Sequence, residues 1–407
     1  MMSAPAARTS SGRIALTVAA VPTGMKAGVR ISPRCMVMVP LRAAPSVALI
    51  MKENRVTTAR LAAQALPPKI GCARRAREMP QISDIDRFVM VVGGPRCGTT
   101  TMARMLQAHP QVLFPFVKEP HYFSQHDLRG LDDAALRKTL QHDYLDHFFF
   151  NAPAERNVGF DGSISYLYAA DQLEPVLKLW PGSRFIVGVR DPLTFLPSLH
   201  KRLVFTGDEN IRRFEDAWAA IPERAAGRRI PWSTIDPRWL RYDQAARFGT
   251  YVERLFDAVG KERCLVVVFD DLATDPHSEQ SRIMDFCGLP PIPLENSKPR
   301  RQGSGVRHIW LQQLLQRPPR FLLPYLASIH HQRRFDKALA RSNAGPQAPA
   351  SPSLRKRLLN WNKVPDVKQP IPLRVQQEIK AMFQGEVDKL GHLIGRDLSN
   401  WLQPKGA

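Results

Sequence analysis

Nine consecutive residues, Gly93-Gly94-Pro95-Arg96-Cys97-Gly98-Thr99-Thr100-Thr101, combine what an anion site needs. Glycines let the backbone approach a bound group, threonine hydroxyls add donors, and a helix opening here would align N–H groups whose dipole favours negative charge. Arg96 contributes a fixed positive charge. The step from Gly93 to Gly98 matches the nucleotide phosphate loop G-x4-G-K-[ST], but Thr99 stands where that loop has its lysine. The lysine normally reaches the β- and γ-phosphates, so an ordinary NTPase or nucleotide kinase is disfavoured. Asp270-Asp271, a Walker-B-like carboxylate pair that would serve magnesium, is what keeps that rival open. A shorter anion suits the loop better.

The elements that must hold the loop follow from the apolar pattern. Phe88 to Val92 is a continuous apolar run ending in two glycines, as expected of a strand buried on both faces of a parallel sheet. Met102, Met105 and Leu106 then recur at helical spacing until His109-Pro110 stops the helix. Arg184 to Arg190 reads as a second buried strand, followed by a helix from Leu193 to Leu203. Cys264 to Phe269 reads as a third, followed by a polar turn and a helix from Glu279 to Phe286. This alternation predicts an α/β protein, a P-loop-like three-layer fold with a central parallel sheet flanked by helices. Residues 343–353 read as a linker. Residues 372–402 read as a closing helical region with Ile379, Met382, Phe383, Val387, Leu390 and Leu393 on one face.

Composition narrows the function classes. The chain has 407 residues with a net charge of +21, but residues 81–291 hold 25 basic and 28 acidic side chains. The excess sits in two flanks: 13 basic against 2 acidic over 1–80, and 14 against 2 over 292–363. A basic stripe across a folded nucleic-acid platform is not the pattern, so a nucleic-acid partner is not expected. No stretch approaches the roughly 18 apolar residues of a membrane-spanning helix. Cysteines at 35, 72, 97, 264 and 287 form no C-x-x-C pair. Neither a disulfide framework nor a zinc site is expected, and a reducing compartment such as the cytoplasm fits. Residues 1–80 lack periodicity and read as a targeting peptide, a disordered extension, or a start assigned upstream of Met79. The domain proper is expected over 88–402, with 292–363 as a basic sub-region.

Taken in order, these motifs resemble the sulfotransferase family that uses 3′-phosphoadenosine 5′-phosphosulfate (PAPS) as donor. Pro95 to Thr100 looks like that family's loop for the 5′-phosphosulfate. Arg190-Asp191-Pro192, with Ser198 eight residues after Arg190, is similar to its 3′-phosphate site. A forked cation and a hydroxyl donor suit a phosphate monoester. Lys118-Glu119-Pro120-His121-Tyr122-Phe123 is similar to the Lys-Glu-x-x-[Phe/Tyr]-Phe element of heparan-type members, whose glutamate acts as general base. Asp161-Gly162-Ser163-Ile164-Ser165-Tyr166 looks like their acidic-x-Thr/Ser-Pro-Ser-Tyr element, and the ending through Arg396 and Trp401 is similar to that of many bacterial members. There are departures. Arg96 stands where lysine is frequent, Ile164 where proline is, Gly162 where lysine is, and Phe195 where a second arginine is common. The basic loop over the 3′-phosphate resembles Arg300-Arg301-Gln302-Gly303-Ser304-Gly305.

The resemblance implies PAPS on Arg96, Cys97, Gly98, Thr99, Thr100, Thr101, Arg190, Ser198 and Arg301, with no metal required. Glu119 and Arg96 would be catalytic. His121 competes with Glu119 for the base, since its ordinary pKa of about 6.5 suits that role; on an extended segment their spacing of two places them on one side. Arg96 can stabilise charge but cannot donate a proton. The acceptor implied is a carbohydrate hydroxyl or amine, with Trp218, Trp232 and Trp239 as candidates for stacking. Phe321-Leu322-Leu323-Pro324-Tyr325-Leu326, within the basic region, reads as a packed helix or as peripheral membrane contact. A catalytically silent PAP(S)-binding protein is the remaining alternative, motivated by the departures at 162, 164 and 195.

Overall fold

The structure, a computed structural model, describes residues 79–149, 155–293, 304–317, 354–365 and 370–403. Five strands, β1 (Arg87–Gly93), β2 (Val112–Leu113), β3 (Val158–Asp161), β4 (Arg184–Val189) and β5 (Cys264–Val268), form one parallel sheet in the order β2-β3-β1-β4-β5. Three of them are the strands expected from the apolar runs; β2 and β3 are additions. β1 lies at the centre, where an apolar residue at every position has a face to cover it. Its alternation assigns the two layers: Phe88, Met90 and Val92 point to one side, Val89 and Val91 to the other.

Helix α1 (Thr99–Gln107) covers the second side through Met102, Met105 and Leu106. Beside it lies a later helix, Pro276–Cys287, through Ile283, Met284 and Cys287. The first side is covered by α2 (Pro192–Thr206), α3 (Phe248–Val259) and the closing helix, Leu373–Ile394. That closing helix buries Ile379, Phe383, Val387 and Leu390 at helical spacing, whereas Met382, expected on the same face, is exposed. Glu386 fixes it to α3 by accepting from the Thr250 N–H and hydroxyl, both at 2.8 Å. Helix, sheet and helix make the three layers foreseen.

All five strands run the same way, so the loops after β1, β2, β3 and β4 emerge at one edge, where open parallel sheets bind ligands. The basic flank supplies a short antiparallel pair, Ser304–Val306 with Lys363–Pro365, and two eight-residue helices, α4 (Ile309–Gln316) and α5 (Leu354–Trp361). Arg301, the 321–326 run, the 343–353 linker and residues 1–78 lie outside the described residues.

Candidate active site

The loop after β1 is built around a backbone crossing. Gly93 has φ +123°, and a Cβ there would sit against the carbonyl oxygen of Gly188 and 2.6 Å from its nitrogen. Only glycine meets both demands. Gly94 N–H then donates to Gly188 O at 3.2 Å, laying the loop directly on the end of β4. Arg96 is held at φ 73°, a left-handed conformation costing a side-chain-bearing residue about 1–2 kcal/mol. Such strain collects at functional sites. Gly98, at φ 81°, is the N-cap of α1.

Not all five amides from 97 to 101 are open to a ligand, which corrects the sequence-based expectation. Cys97 N–H donates to Gly94 O at 3.3 Å and Thr101 N–H to Gly98 O at 2.8 Å, closing the turn. Helix geometry leaves Thr99 and Thr100 N–H as the first-turn donors without an intrahelical acceptor. The Thr101 side chain is exposed and that of Thr99 buried. Cys97 is fully buried, and burial raises its thiol pKa far above the usual range despite Arg190 and Arg96 nearby. It is a packing group, not a thiolate.

The loop after β4 meets this one through two arginines. Arg96 Nε donates to Ser198 Oγ at 3.1 Å, and Arg190 Nη1 donates to Arg96 O at 3.1 Å. Arg190 Nε donates to Thr194 Oγ1 at 3.0 Å, and its guanidinium lies 4.2 Å from the centre of the Phe269 ring. Buried Asp191 caps α2 through Leu193 N–H at 3.0 Å, fixing where Thr194 and Ser198 emerge. Ser198 accepts from Arg96, so its own proton remains available for an anion. Phe195, where the family often has arginine, is buried edge-on to Phe248 at 5.1 Å and is core. Arg96, Arg190 and Ser198 are therefore brought together, and Thr194 joins them unforeseen. Its signal was the four-residue step from Arg190 at a helix start.

The loops after β2 and β3 form a second network. Asp161, at the end of β3, is wholly buried and accepts from Ser163 N–H at 2.9 Å, Ser163 Oγ at 2.5 Å, and the Tyr144 and Tyr166 hydroxyls at 2.8 Å each. Burial raises its pKa against these donors. The turn that Asp161 fixes is stitched to the Lys118–His121 stretch: Gly162 N–H donates to Lys118 O at 3.0 Å, and His121 N–H to Ser163 Oγ at 2.8 Å. Lys118 Nζ donates to Glu119 Oε1 at 2.6 Å, and His121 Nε2 lies 3.6 Å from Glu119 Oε2. Burial alone would raise the Glu119 carboxyl, but the His121 ring and the Lys118 ammonium outweigh it and hold the pKa at about 2.

Hydrogen-bond accounting assigns the His121 tautomer. Ser124 Oγ donates to His121 O at 3.0 Å, so the 2.7 Å contact between Ser124 and Ser165 takes the Ser165 proton. Ser165 must then accept, at 2.7 Å, from His121 Nδ1–H. In the neutral ring Nε2 is left as the lone pair, facing Glu119. Carboxylate and lone pair face each other at 3.6 Å, longer than a hydrogen bond, and leave a seat for one proton; only with that proton on Nε2 does the ring lower the Glu119 pKa. His121 has φ 56° at the start of a four-residue helix, so it meets Glu119 by a left-handed turn and not along an extended segment. Ser124, Ser163 and Ser165 were not singled out by sequence, because their role depends on two distant loops meeting.

Two other expectations change. Trp218 is buried, with its indole N–H donating to Glu378 at 2.8 Å, so it is no stacking platform; Trp239 packs edge-on to Tyr168 at 4.9 Å, and Trp232 is exposed. Asp271 is gripped by both terminal nitrogens of Arg396, 2.8 Å from Nη2 to Oδ1. A Walker-B role would require that ion pair to break.

A family model described as the sulfotransferase family matches residues 89–293, from β1 through the helix ending at Cys287. The chain belongs to the sulfotransferase family. Among curated relatives, mouse heparan sulfate glucosamine 3-O-sulfotransferase 6 is 26% identical, covering 61% of this chain and 64% of the relative. Chicken protein-tyrosine sulfotransferase 2 is 22% identical, covering 53% of each. Mouse carbohydrate sulfotransferase 15 is 37% identical over 50% of this chain and 44% of its own length. This sulfotransferase thus spans less than two thirds of the length of these relatives. Among solved structures, a sulfotransferase from Alicyclobacillus acidocaldarius shares 20% identity at a TM-score of 0.48, covering 78% of this chain and 99% of that one.

Proposed function

We propose that this sulfotransferase moves a sulfuryl group from PAPS to a hydroxyl or amino group of a carbohydrate. The observation that carries the reading is the Arg96–Ser198 contact, which joins the β1 loop to the helix after β4 and, with the Arg190 bond to Arg96 O, brings two arginines to one surface. A donor with a phosphosulfate at one end and a phosphate monoester at the other fits such a pair. Thr99 and Thr100 N–H at the start of α1 face the first group; Arg190, Thr194 and Ser198 suit the second.

Arg96, strained and positively charged, stabilises the charge that builds on the bridging oxygen as the sulfur–oxygen bond to phosphate breaks. Preorganised donors of this kind are worth about 3–4 kcal/mol each in a barrier. Arg96 keeps its proton throughout, so the departing nucleotide leaves as an anion. As the new bond forms from sulfur to the acceptor's oxygen or nitrogen, the acceptor's proton passes to the Glu119–His121 pair. Glu119 supplies the negative charge and Nε2 the second lone pair. The carbohydrate acceptor is supported by the names of two of the relatives and by the Lys118–Phe123 element.

Thermal unfolding with PAP, the desulfated donor, and separately with Mg-ADP at matched concentrations tests the donor. Ligand at 100 times its dissociation constant adds about 2.7 kcal/mol. Stabilisation by PAP and not by Mg-ADP is expected; the reverse would sink the reading and restore the kinase.

A further inference from the structure

Helix α4 is built inside out. Gln312 and Gln313 face the protein, 1% and 7% exposed, while Trp310 and Leu314, one turn apart, face away, with Trp310 64% exposed. The inward face is held by polar contacts: Gln312 Nε2 donates to Phe205 O at 2.5 Å and Gln313 Nε2 to Ser233 Oγ at 2.8 Å, and just past the helix Arg317 pairs with Asp208 at 2.8 Å. A helix on a water-facing surface normally has the opposite arrangement. Helix α5 adds an exposed apolar stripe, linked to that of α4 through His308, whose ring lies 6.4 Å from that of Trp310 and stacks on that of Trp361. Leu354, Leu358 and Trp361, at steps of four and three, are all exposed, Leu354 by 70%.

The two helices are locked as a pair. Arg355 Nε caps α4 at Leu315 O, 2.7 Å away, and buried Asn362 donates to His308 O and Gln312 Oε1 at 3.0 Å each. Trp361 lies 5.7 Å from the His308 ring and 4.9 Å from the Arg307 guanidinium. The apolar face is thus a fixed feature, and its charge is one-sided. Residues 304–317 and 354–365 hold no acidic residue, and beside Arg317, which is paired with Asp208, they carry Arg307, Arg355, Arg357 and Lys363.

We propose that this face docks on an anionic lipid surface, with Trp310, Leu314, Leu354, Leu358 and Trp361 entering the boundary between headgroups and acyl chains and the surrounding cations meeting lipid phosphates. Amphipathic faces with leucine and tryptophan bordered by Lys and Arg bind membranes by adding buried apolar area to electrostatic attraction. A sulfated glycan would satisfy the cations and stack on tryptophan, but it offers nothing to cover three leucines. A second copy would bring two patches of the same sign together. This inference is independent of the donor and acceptor.

The test is flotation of the full chain with phosphatidylcholine vesicles, with and without about 30% phosphatidylserine, at about 0.1 M and about 0.5 M salt. Other basic segments can bind vesicles by charge alone, so serine variants of the apolar face are the deciding arm. Trp310→Ser/Leu314→Ser and Leu354→Ser/Leu358→Ser should each weaken binding to the anionic vesicles at least about tenfold, without changing Tm or transfer to a soluble acceptor. Arg357→Glu/Lys363→Glu should weaken it in low salt and leave little difference in high salt. Binding unaltered in the serine variants, or no binding to anionic vesicles by the parent chain, would overturn the proposal. So would a parent oligomer that the serine variants dissociate, or loss of acrylamide quenching at Trp310 already present without vesicles, which would mean that another part of the chain covers the face.

Discussion

Glu119→Gln removes the negative charge of the proton seat while keeping its shape, and its consequences can be worked out at two levels. The carboxyl is held at about 2 against an ordinary 4.5. Its value is depressed on folding, so the unfolded chain takes up the proton first. The stability this carboxylate contributes is complete above pH about 4.5 and is lost as pH falls towards about 2. A shift of that size would be worth about 3 kcal/mol if fully buried. With 35% of the side chain exposed, screening reduces the contribution to about 1–2 kcal/mol. With the proton seat filled, Glu119→Gln should therefore lose about 1–2 kcal/mol, a few degrees in Tm, and show a flatter stability profile between pH 5 and 3. Turnover should fall by about 10²–10⁴, with PAP stabilisation retained. Thermal unfolding across pH, with transfer from labelled PAPS, reads both levels. Full turnover in Glu119→Gln would refute the carboxylate's part in proton transfer and leave His121 alone in the role. An unchanged acid profile would refute the Lys118–Glu119–His121 pairing itself.

Further tests concern the frame around the site. Arg96→Ala should weaken PAP binding by about 10–100-fold by calorimetry, as expected for a charge-assisted hydrogen bond; unchanged affinity would remove Arg96 from the donor site. Gly93→Ala places a methyl against the Gly188 backbone at φ +123° and should cost about 3 kcal/mol or more in chemical denaturation. Tyr166→Phe takes one donor from buried Asp161 and should cost about 1–3 kcal/mol, a smaller loss indicating that Tyr144 and Ser163 suffice. Burial pushes the thiols of Cys264 and Cys287 up to about 12, and that of Cys97 higher still. At neutral pH all three should resist alkylation until the chain unfolds; labelling of native Cys97, read by peptide mass spectrometry, would contradict its place in the core.

β1, β4 and β5 were legible because strands flanked by helices on both faces are apolar without interruption. β2 is only two residues long. β3 hides for a different reason: Gly159 makes room for the Phe88 ring, and its last residue is an acid buried by four donors, so Val158-Gly159-Phe160-Asp161 reads as a turn. The loop after β1 was legible as a turn into a helix from its glycines and threonines, but the use of two of its amides to close its own turn was not. Glu119 and His121 were rightly expected near one another, though by the wrong geometry, since a left-handed residue 121 leaves no mark in the composition. Helix α4 misleads in the opposite way. Its apolar residues suggest packing inward, and only the Phe205, Ser233 and Asn362 partners reveal that its glutamines do so.

The glycine crossing between β1 and β4 makes the sheet a ruler. Gly93 and Gly188 are directly paired, and neighbouring strands stand about 4.8 Å apart. The two loops that follow cannot separate unless the ladder between them breaks. The interval between the two proposed anion sites is thereby tied to main-chain hydrogen bonds, which only a change at the crossing itself, such as Gly93→Ala, would disturb. On the proposed reading, a donor would be measured end to end by the sheet's main chain, and a nucleotide whose phosphates fall at another interval would fit poorly before any base or sugar contact is made.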